Sequence, residues 1–433
     1  MLVCADPPSS GGLPSMITRE TLDNGLTLVT ETMPHLRSVA VGVWVKRGSR
    51  HESLEQSGIS HFIEHMVFKG TSTRSAERIA AEVDSIGGYM DAFTAKEYAS
   101  FHLKVLDEHL PQAIEILGDI VLNPLFDAAE MTKEKKVISE EINMVEDTPD
   151  DLVMELLSEA FWPDHPLGRP ILGNKRTVGG FSREDLLAYF GRVYQPGNLL
   201  VAAAGHLEHA RAAQLVRCHF AGLRRRPSSA NGRPPRTAWT TVSRSKRELE
   251  QVHVCLGTRA LPQAHRDRYT SFVLNTVLGG SMSSRLFQNV REKRGLVYSI
   301  SSGITSYSDA GLLNVYAGTS LDSAEEVIRL TLDEMRRLCG DRLPDEELRR
   351  SKDHIKGGLV LSLENTGARM SHLARQEIYF GKQLPLDEIL DGIEAVSADD
   401  VRRLAARLFR GRVAASVIGN LKGWRPREKD LVV

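Results

Sequence analysis

The chain has 433 residues, 41% of them hydrophobic, which is long enough for about two to three domains of ordinary size. Its 55 basic and 56 acidic residues nearly cancel, leaving no electrostatic case for nucleic acid or an anionic membrane as a main partner. Four scattered cysteines (Cys4, Cys218, Cys255 and Cys339) form no C-x-x-C pair, so neither a disulfide framework nor a cysteine zinc site is expected, and any zinc must be held by histidine and carboxylate.

The segment Met1–Met16 carries Asp6 and the run Ser9-Ser10-Gly11-Gly12, with no basic start and no apolar stretch. It reads as a disordered tail and not as a secretory signal. No arginine precedes Arg19, which argues against an organelle presequence. No run approaches the roughly 18–20 apolar residues of a membrane helix, so a soluble cytoplasmic protein is expected.

The first half opens with strand patterns at Leu26–Thr30 and Val39–Trp44, the second of them alternating. A helical segment holding His61 and His65 follows, then a helix at Ala76–Ser85, and strands at Tyr89–Thr94 and Ala99–Val105 after Gly87-Gly88. Long amphipathic patterns cover Glu108–Leu122 and Ala128–Val145. From Leu223 to Arg247 the chain is rich in Pro, Ser and Arg and poor in apolar residues, as an exposed linker would be. Beyond it the order repeats: a strand at Glu250–Leu256, helices at Asp267–Leu278 and Ser284–Lys293, and strands at Val297–Ile304 and Gly311–Ala317. Helices at Ser323–Cys339 and Asp345–Leu363 follow. The expectation is an α+β fold in two homologous domains, 16–222 and 248–425, each a mostly antiparallel sheet packed against helices.

One segment carries chemistry. On a helix, residues i, i+3 and i+4 share a face, and His61, Glu64 and His65 hold those positions. Two neutral imidazoles are good zinc ligands, and a catalytic zinc site takes three protein ligands plus water. Glu64 is then the base that accepts a proton from the attacking water. The flanks Ile59, Phe62, Ile63, Met66 and Val67 are apolar, so a buried helix would need partners for this polar trio. For the third ligand the helix at Ala128–Val145 and its end offer Glu130, Glu134, Glu140, Glu141 and Glu146. Glu134 and Glu141 lie two turns apart on one face, but side-chain chemistry does not choose among the five.

Several spaced segments resemble the pitrilysin (inverzincin) family of metallopeptidases, most closely its bacterial members similar to the β subunit of the mitochondrial processing peptidase. They are LDNGLTLVTE (Leu22–Glu31), GISHFIEHMVFKGT (Gly58–Thr71), IGGYMDAFTAKEYASFH (Ile86–His102), EKKVISEEINMVEDTPDD (Glu134–Asp151), YQPGNLLVAAAGH (Tyr194–His206) and SSRLFQNVREKRGLVYSISS (Ser283–Ser302). The resemblance implies His61, His65 and Glu141 as ligands of one Zn2+ per chain, Glu64 as base, and Glu134 as the carboxylate that supports a ligating histidine. It also implies that peptide substrate lies along Tyr89–Thr94, with Ala92 and Thr94 flanking the scissile bond. The position before Ala92, often asparagine in the family, is Asp91 here, and aspartate cannot donate as an amide does.

In the second half, Arg291 and Tyr298 match an Arg–Tyr pair that contacts substrate or the transition-state oxyanion in relatives. That half has no H-x-x-E-H; its counterpart helix begins His265-Arg266-Asp267. The resemblance thus points to a zinc metalloendopeptidase that cleaves peptides or unfolded segments inside a homodimer chamber. The alternatives are a non-catalytic scaffold subunit and a processing subunit that needs a different partner chain.

Overall fold

Residues 16–223 and 232–433 are described by the structure, a computed structural model. The tail before Met16, with Cys4, and residues 224–231 of the expected linker lie outside the described residues. The first sheet is built from β1 (Met16–Thr21), β2 (Thr27–Thr32), β3 (Ser38–Val45), β4 (Tyr89–Thr94), β5 (Ala99–Leu106) and β6 (Leu199–Gly205). Their order is β1-β2-β6-β3-β5-β4, with β2 and β6 parallel and every other pair antiparallel. The second sheet uses β7 (Thr241–Ser245), β8 (Val252–Arg259), β9 (Val297–Ser306), β10 (Gly311–Thr319) and β11 (Ala414–Gly419). Its order, β7-β11-β8-β10-β9, again has one parallel pair, β7 with β11, in the matching place. Apart from the added edge strand β1, the two sheets share one topology, and the fold is mixed α+β as the element order implied.

Helices of the first half are α1 (Ile59–Met66), α2 (Ala76–Ser85), α3 (Leu110–Leu122), α4 (Ala128–Asp147), α5 (Pro149–Phe161), α6 (Lys175–Gly180), α7 (Arg183–Val193) and α8 (His209–Phe220). Those of the second are α9 (Arg268–Leu278), α10 (Leu321–Gly340), α11 (Asp345–Ser362), α12 (Thr366–Phe380), α13 (Leu386–Glu394) and α14 (Ala398–Phe409). In each half the inner face of the sheet buries its Val and Leu side chains against the helices of the same half, forming one large core apiece.

The outer faces are covered by exchange. Helix α12 sends Met370, Leu373 and Ala374 onto Val29, Ala40, Trp44 and Leu200 of the first sheet. Helix α5 sends Leu152, Val153, Leu157 and Phe161 onto Cys255, Leu312, Ala414 and Ile418 of the second. Both sheets are therefore buried on two faces, which explains why β3, β6, β8 and β11 are almost wholly buried rather than alternating. A buried ionic knot ties the halves as well. The Arg50 guanidinium donates to Glu97 at 2.7 Å and to Asp309 at 2.5 Å, and Ser308 N–H and Oγ donate to Glu97.

Two expectations are corrected. The stretch Leu223–Arg247 is not connection throughout, since Thr241–Ser245 forms the edge strand β7 and Trp239 packs edge-on against Phe161 at 5.6 Å. An edge strand needs little apolar content, so linker-like composition did not exclude it. The helix expected at Ser284–Lys293 is present from Arg285 to Glu292, but over Phe287–Glu292 it is π-helical, wound wide so that the Lys293 amide reaches the Gln288 carbonyl. Among the described residues no helix is long and apolar enough to cross a membrane.

Candidate metal centre

Helix α1 is fixed before its polar face is considered. It starts after Gly58, whose φ of +96° is left-handed and whose missing Cβ leaves room for the Leu172 carbonyl; a Cβ would stand 2.6 Å from that oxygen. The Gly58 and Ser60 amides, free at a helix start, donate to the buried Glu52 carboxylate at 2.8 and 2.9 Å. Ile59, Phe62, Ile63 and Met66 are fully buried in the first core. This leaves His61, Glu64 and His65 on the one face not used for packing.

Helix α4 lies across that face. Its inward residues Met131, Glu134 and Ile138 are buried, and Glu141 continues the same side two turns beyond Glu134. The Glu141 carboxylate stands 3.7 Å from His61 Nε2 and 3.5 Å from His65 Nε2. The other four acids of the helical region are committed elsewhere or buried on another duty. Glu130 pairs with Lys133, Glu140 accepts from Asn143, Glu146 pairs with Arg244, and Glu134 meets the far side of His65. Packing thus brings Glu141, of these five, to the two Nε2 atoms.

The donor set fits zinc. One atom from each of His61, His65 and Glu141 lies within 4.8 Å of the others. Donors sharing one tetrahedral zinc at about 2 Å stand roughly 3.3 Å apart, close to the separations found. Burial, helped by the nearby His65, lowers His61 to about 3, which keeps its imidazole in the neutral form that ligates. His65 Nδ1 donates to Glu134 at 2.9 Å, so its Nε2 is the nitrogen left to face Glu141. Lys69 holds the other Glu134 oxygen at 2.8 Å. Burial alone would raise the Glu134 carboxyl, but the hydrogen bonds from Lys69 and His65 hold it below its usual range.

Glu64 is half-buried beside these three side chains, and the Thr94 hydroxyl donates to its carboxylate at 2.5 Å. Burial raises its carboxyl, opposed by that hydrogen bond. Ala92 and Thr94 lie on β4, the outermost strand of the first sheet, and with Met90 are its half-buried residues, which face α1. Beside them a cavity of about 400 Å³ opens between α1, α2 and β4, lined by Glu64, His65, Phe68, Ile79 and Met90.

Arg291 and Tyr298 stand apart from this cluster. Arg291 Nε donates to the Tyr298 carbonyl at 2.9 Å, and Arg291 pairs with Glu292. Tyr298 lies on β9, the outermost strand of the second sheet, with 78% of its surface exposed. Neither is hydrogen-bonded or ion-paired with a residue of the cluster. Sequence reasoning missed three supports: Glu52 at the start of α1, Lys69 on Glu134, and the Thr94 hydrogen bond to Glu64. Lys69 lies in the turn beyond α1, where helical spacing does not report it.

Comparison with known proteins gives the family of the chain. Residues 27–175 match the family described as insulinase (peptidase family M16), and residues 180–355 match its companion, the peptidase M16 inactive domain. The chain is 43% identical over 403 residues to YmxG of Bacillus subtilis, named an uncharacterized zinc protease, covering 93% of this chain and 98% of that one. It is 40% identical over 414 residues to SCO5738 of Streptomyces coelicolor, named likewise, covering 94% and 90%. Among solved structures, a protease from Helicobacter pylori superposes with a TM-score of 0.87 at 21% identity, over 93% of this chain and 99% of that one.

Proposed function

The chain belongs to the M16 (insulinase) family of peptidases, and from that premise we propose that it is a zinc endopeptidase, cleaving peptides or unfolded segments within a chamber formed by two copies of the chain. The carrying observation is the convergence of His61, His65 and Glu141, with Glu64 beside them on the same helix face and bonded by Thr94. Zinc held there supplies a Lewis acid that polarises a carbonyl and lowers the pKa of water. The open edge of β4 receives the peptide as an added strand, through backbone hydrogen bonds that tolerate many sequences. Glu64 takes the proton of the attacking water and passes it to the leaving amine. Thr94 keeps that carboxylate aimed, and Glu134 with Lys69 keeps His65 turned toward Glu141.

Arg291 and Tyr298 stabilise charge developing on the scissile carbonyl, and they do so from the neighbouring copy. The exposure of the Tyr298 side chain, and the lack of any bond from either residue to the cluster of the same chain among the described residues, support that assignment. Survival of both histidines and both glutamates speaks against a non-catalytic scaffold. The test is zinc content and cleavage of a quenched fluorescent peptide by the native chain and by Glu64→Gln. Both should hold one zinc, and the variant should lose activity by about 10²–10⁴-fold. A native chain without zinc, or a variant cleaving at the native rate, overturns the reading.

A further inference from the structure

Strand β4 reads Tyr89-Met90-Asp91-Ala92-Phe93-Thr94, and its pairing with β5 decides which of its amides are open. The turn between the strands is closed by the Ala95 amide on the Tyr98 carbonyl at 2.7 Å. Bonded and unbonded pairs alternate along an antiparallel ladder. Phe93, opposite Ser100, and Asp91, opposite His102, therefore turn their backbone groups inward to β5. Thr94, Ala92 and Met90 turn theirs to the free edge, where a peptide strand would bond. The middle donor of that edge is taken: the Ala92 amide donates to its neighbour's carboxylate, Asp91 Oδ1, at 2.8 Å. Charged side chains commonly blunt exposed edges in this way.

The side chains alternate in the opposite sense. Met90, Ala92 and Thr94 are half-buried toward α1, while Tyr89, Asp91 and Phe93 are exposed on the other face. Asp91 thus lies between two exposed rings, Tyr89 at 65% and Phe93 at 37%, and it makes no ion pair among the described residues. The Phe93 ring packs on Trp44, Tyr98 and His102, which leaves Tyr89 as the open ring beside Asp91. A carboxylate without an ion-pair partner next to an open aromatic ring suits the ammonium or guanidinium of a neighbouring strand. A second carboxylate placed there is repelled.

We propose that Asp91 is a specificity-determining residue: its carboxylate covers the edge amide that substrate needs, and it yields that amide most readily to a peptide whose side chain on the same face is lysine or arginine. The inference rests on the peptidase reading for the path of the peptide, but its test does not depend on cleavage. Zinc-loaded Glu64→Gln chain is titrated with fluorescent ten-residue peptides, identical except for Lys, Gln or Glu at each position in turn. At one position the Lys peptide should bind about fivefold or more tighter than the Glu peptide. Adding Asp91→Asn should bring that ratio close to one, because the cap persists and the charge is gone. Adding Asp91→Ala removes the cap, so the Gln peptide should bind more tightly than to the Glu64→Gln chain. A Lys-to-Glu ratio that is absent, or unchanged by Asp91→Asn, overturns the proposal, as does weaker Gln-peptide binding in the Asp91→Ala chain. If the ratio behaves as described while the native chain cleaves nothing, the specificity role stands and the peptidase reading falls. If no peptide binds, both fall.

Discussion

Glu134 accepts a hydrogen bond from His65 Nδ1 at 2.9 Å although the two lie 69 residues apart in sequence, and this bond decides which nitrogen of His65 is presented to Glu141. The same carboxylate accepts from Lys69 through its other oxygen, so it is held between two donors and cannot rotate away.

Replacing Glu134 by Gln leaves one oxygen for two donors and lets His65 turn. Zinc affinity should fall by about 10–100-fold, with the fold intact. Competition against a fluorescent chelator measures this, and native affinity in the variant would contradict the role given to Glu134.

Thr94→Val removes the hydroxyl on Glu64 while keeping the shape of the strand. A hydrogen bond to a charged group is worth about 1.5 kcal/mol or more, so kcat/KM should drop about tenfold or further. Zinc content should not change. A variant with normal kinetics would show that the bond seen to Glu64 plays no part in aiming it.

If Arg291 and Tyr298 serve the neighbouring copy, two inactive chains should repair one another. Glu64→Gln supplies a sound Tyr298, and Tyr298→Phe supplies a sound metal site. Unfolding and refolding the two variants together should restore part of the activity that neither shows alone. Silence of the mixture, with mixed dimers confirmed by a mass tag, would place the pair in its own chain's site or outside the reaction.

Burial pushes the Glu52 carboxyl up to about 7, against the hydrogen bonds it accepts from Ser60 and Gly58. In the unfolded chain it ionises in the ordinary range, near 4.5. Between those values the folded chain binds more protons than the unfolded one, so stability falls as pH rises through the window and levels above it. The loss is at most about 3 kcal/mol. Glu52→Gln removes this titration, and its unfolding free energy should decline less between about pH 5 and about pH 8 in urea titrations. Equal declines in the two chains would count against it.

The Arg50 side chain is 2% exposed and bridges Glu97 of the first half to Asp309 of the second. Arg50→Met leaves two carboxylates facing each other without their cation, and stability should fall by about 3–5 kcal/mol. Adding Asp309→Asn should recover part of it. A loss below about 1 kcal/mol in the single variant would mean the knot is solvated and contributes little.

The parts of this protein legible in its sequence are those governed by local periodicity. Helix α2 and strand β4 have the limits that their patterns predicted, Ala76–Ser85 and Tyr89–Thr94. His61, Glu64 and His65 share a face because they share a helix, and no tertiary contact is needed to know it. By contrast β6, Leu-Leu-Val-Ala-Ala-Ala-Gly, is buried on both faces and has no alternation to read, so its apolar run alone does not tell strand from helix. Periodicity alone put Glu134 and Glu141 on one face of α4 but could not say which meets the histidines; only the angle at which α4 crosses α1 assigns one carboxylate to Nε2 and the other to Nδ1. The exchange of α5 and α12, and the knot at Arg50, join residues more than 200 positions apart. Spacing along a chain reports which side chains share an element, whereas which elements meet is settled by burying their apolar faces together, and that is a property of the whole fold.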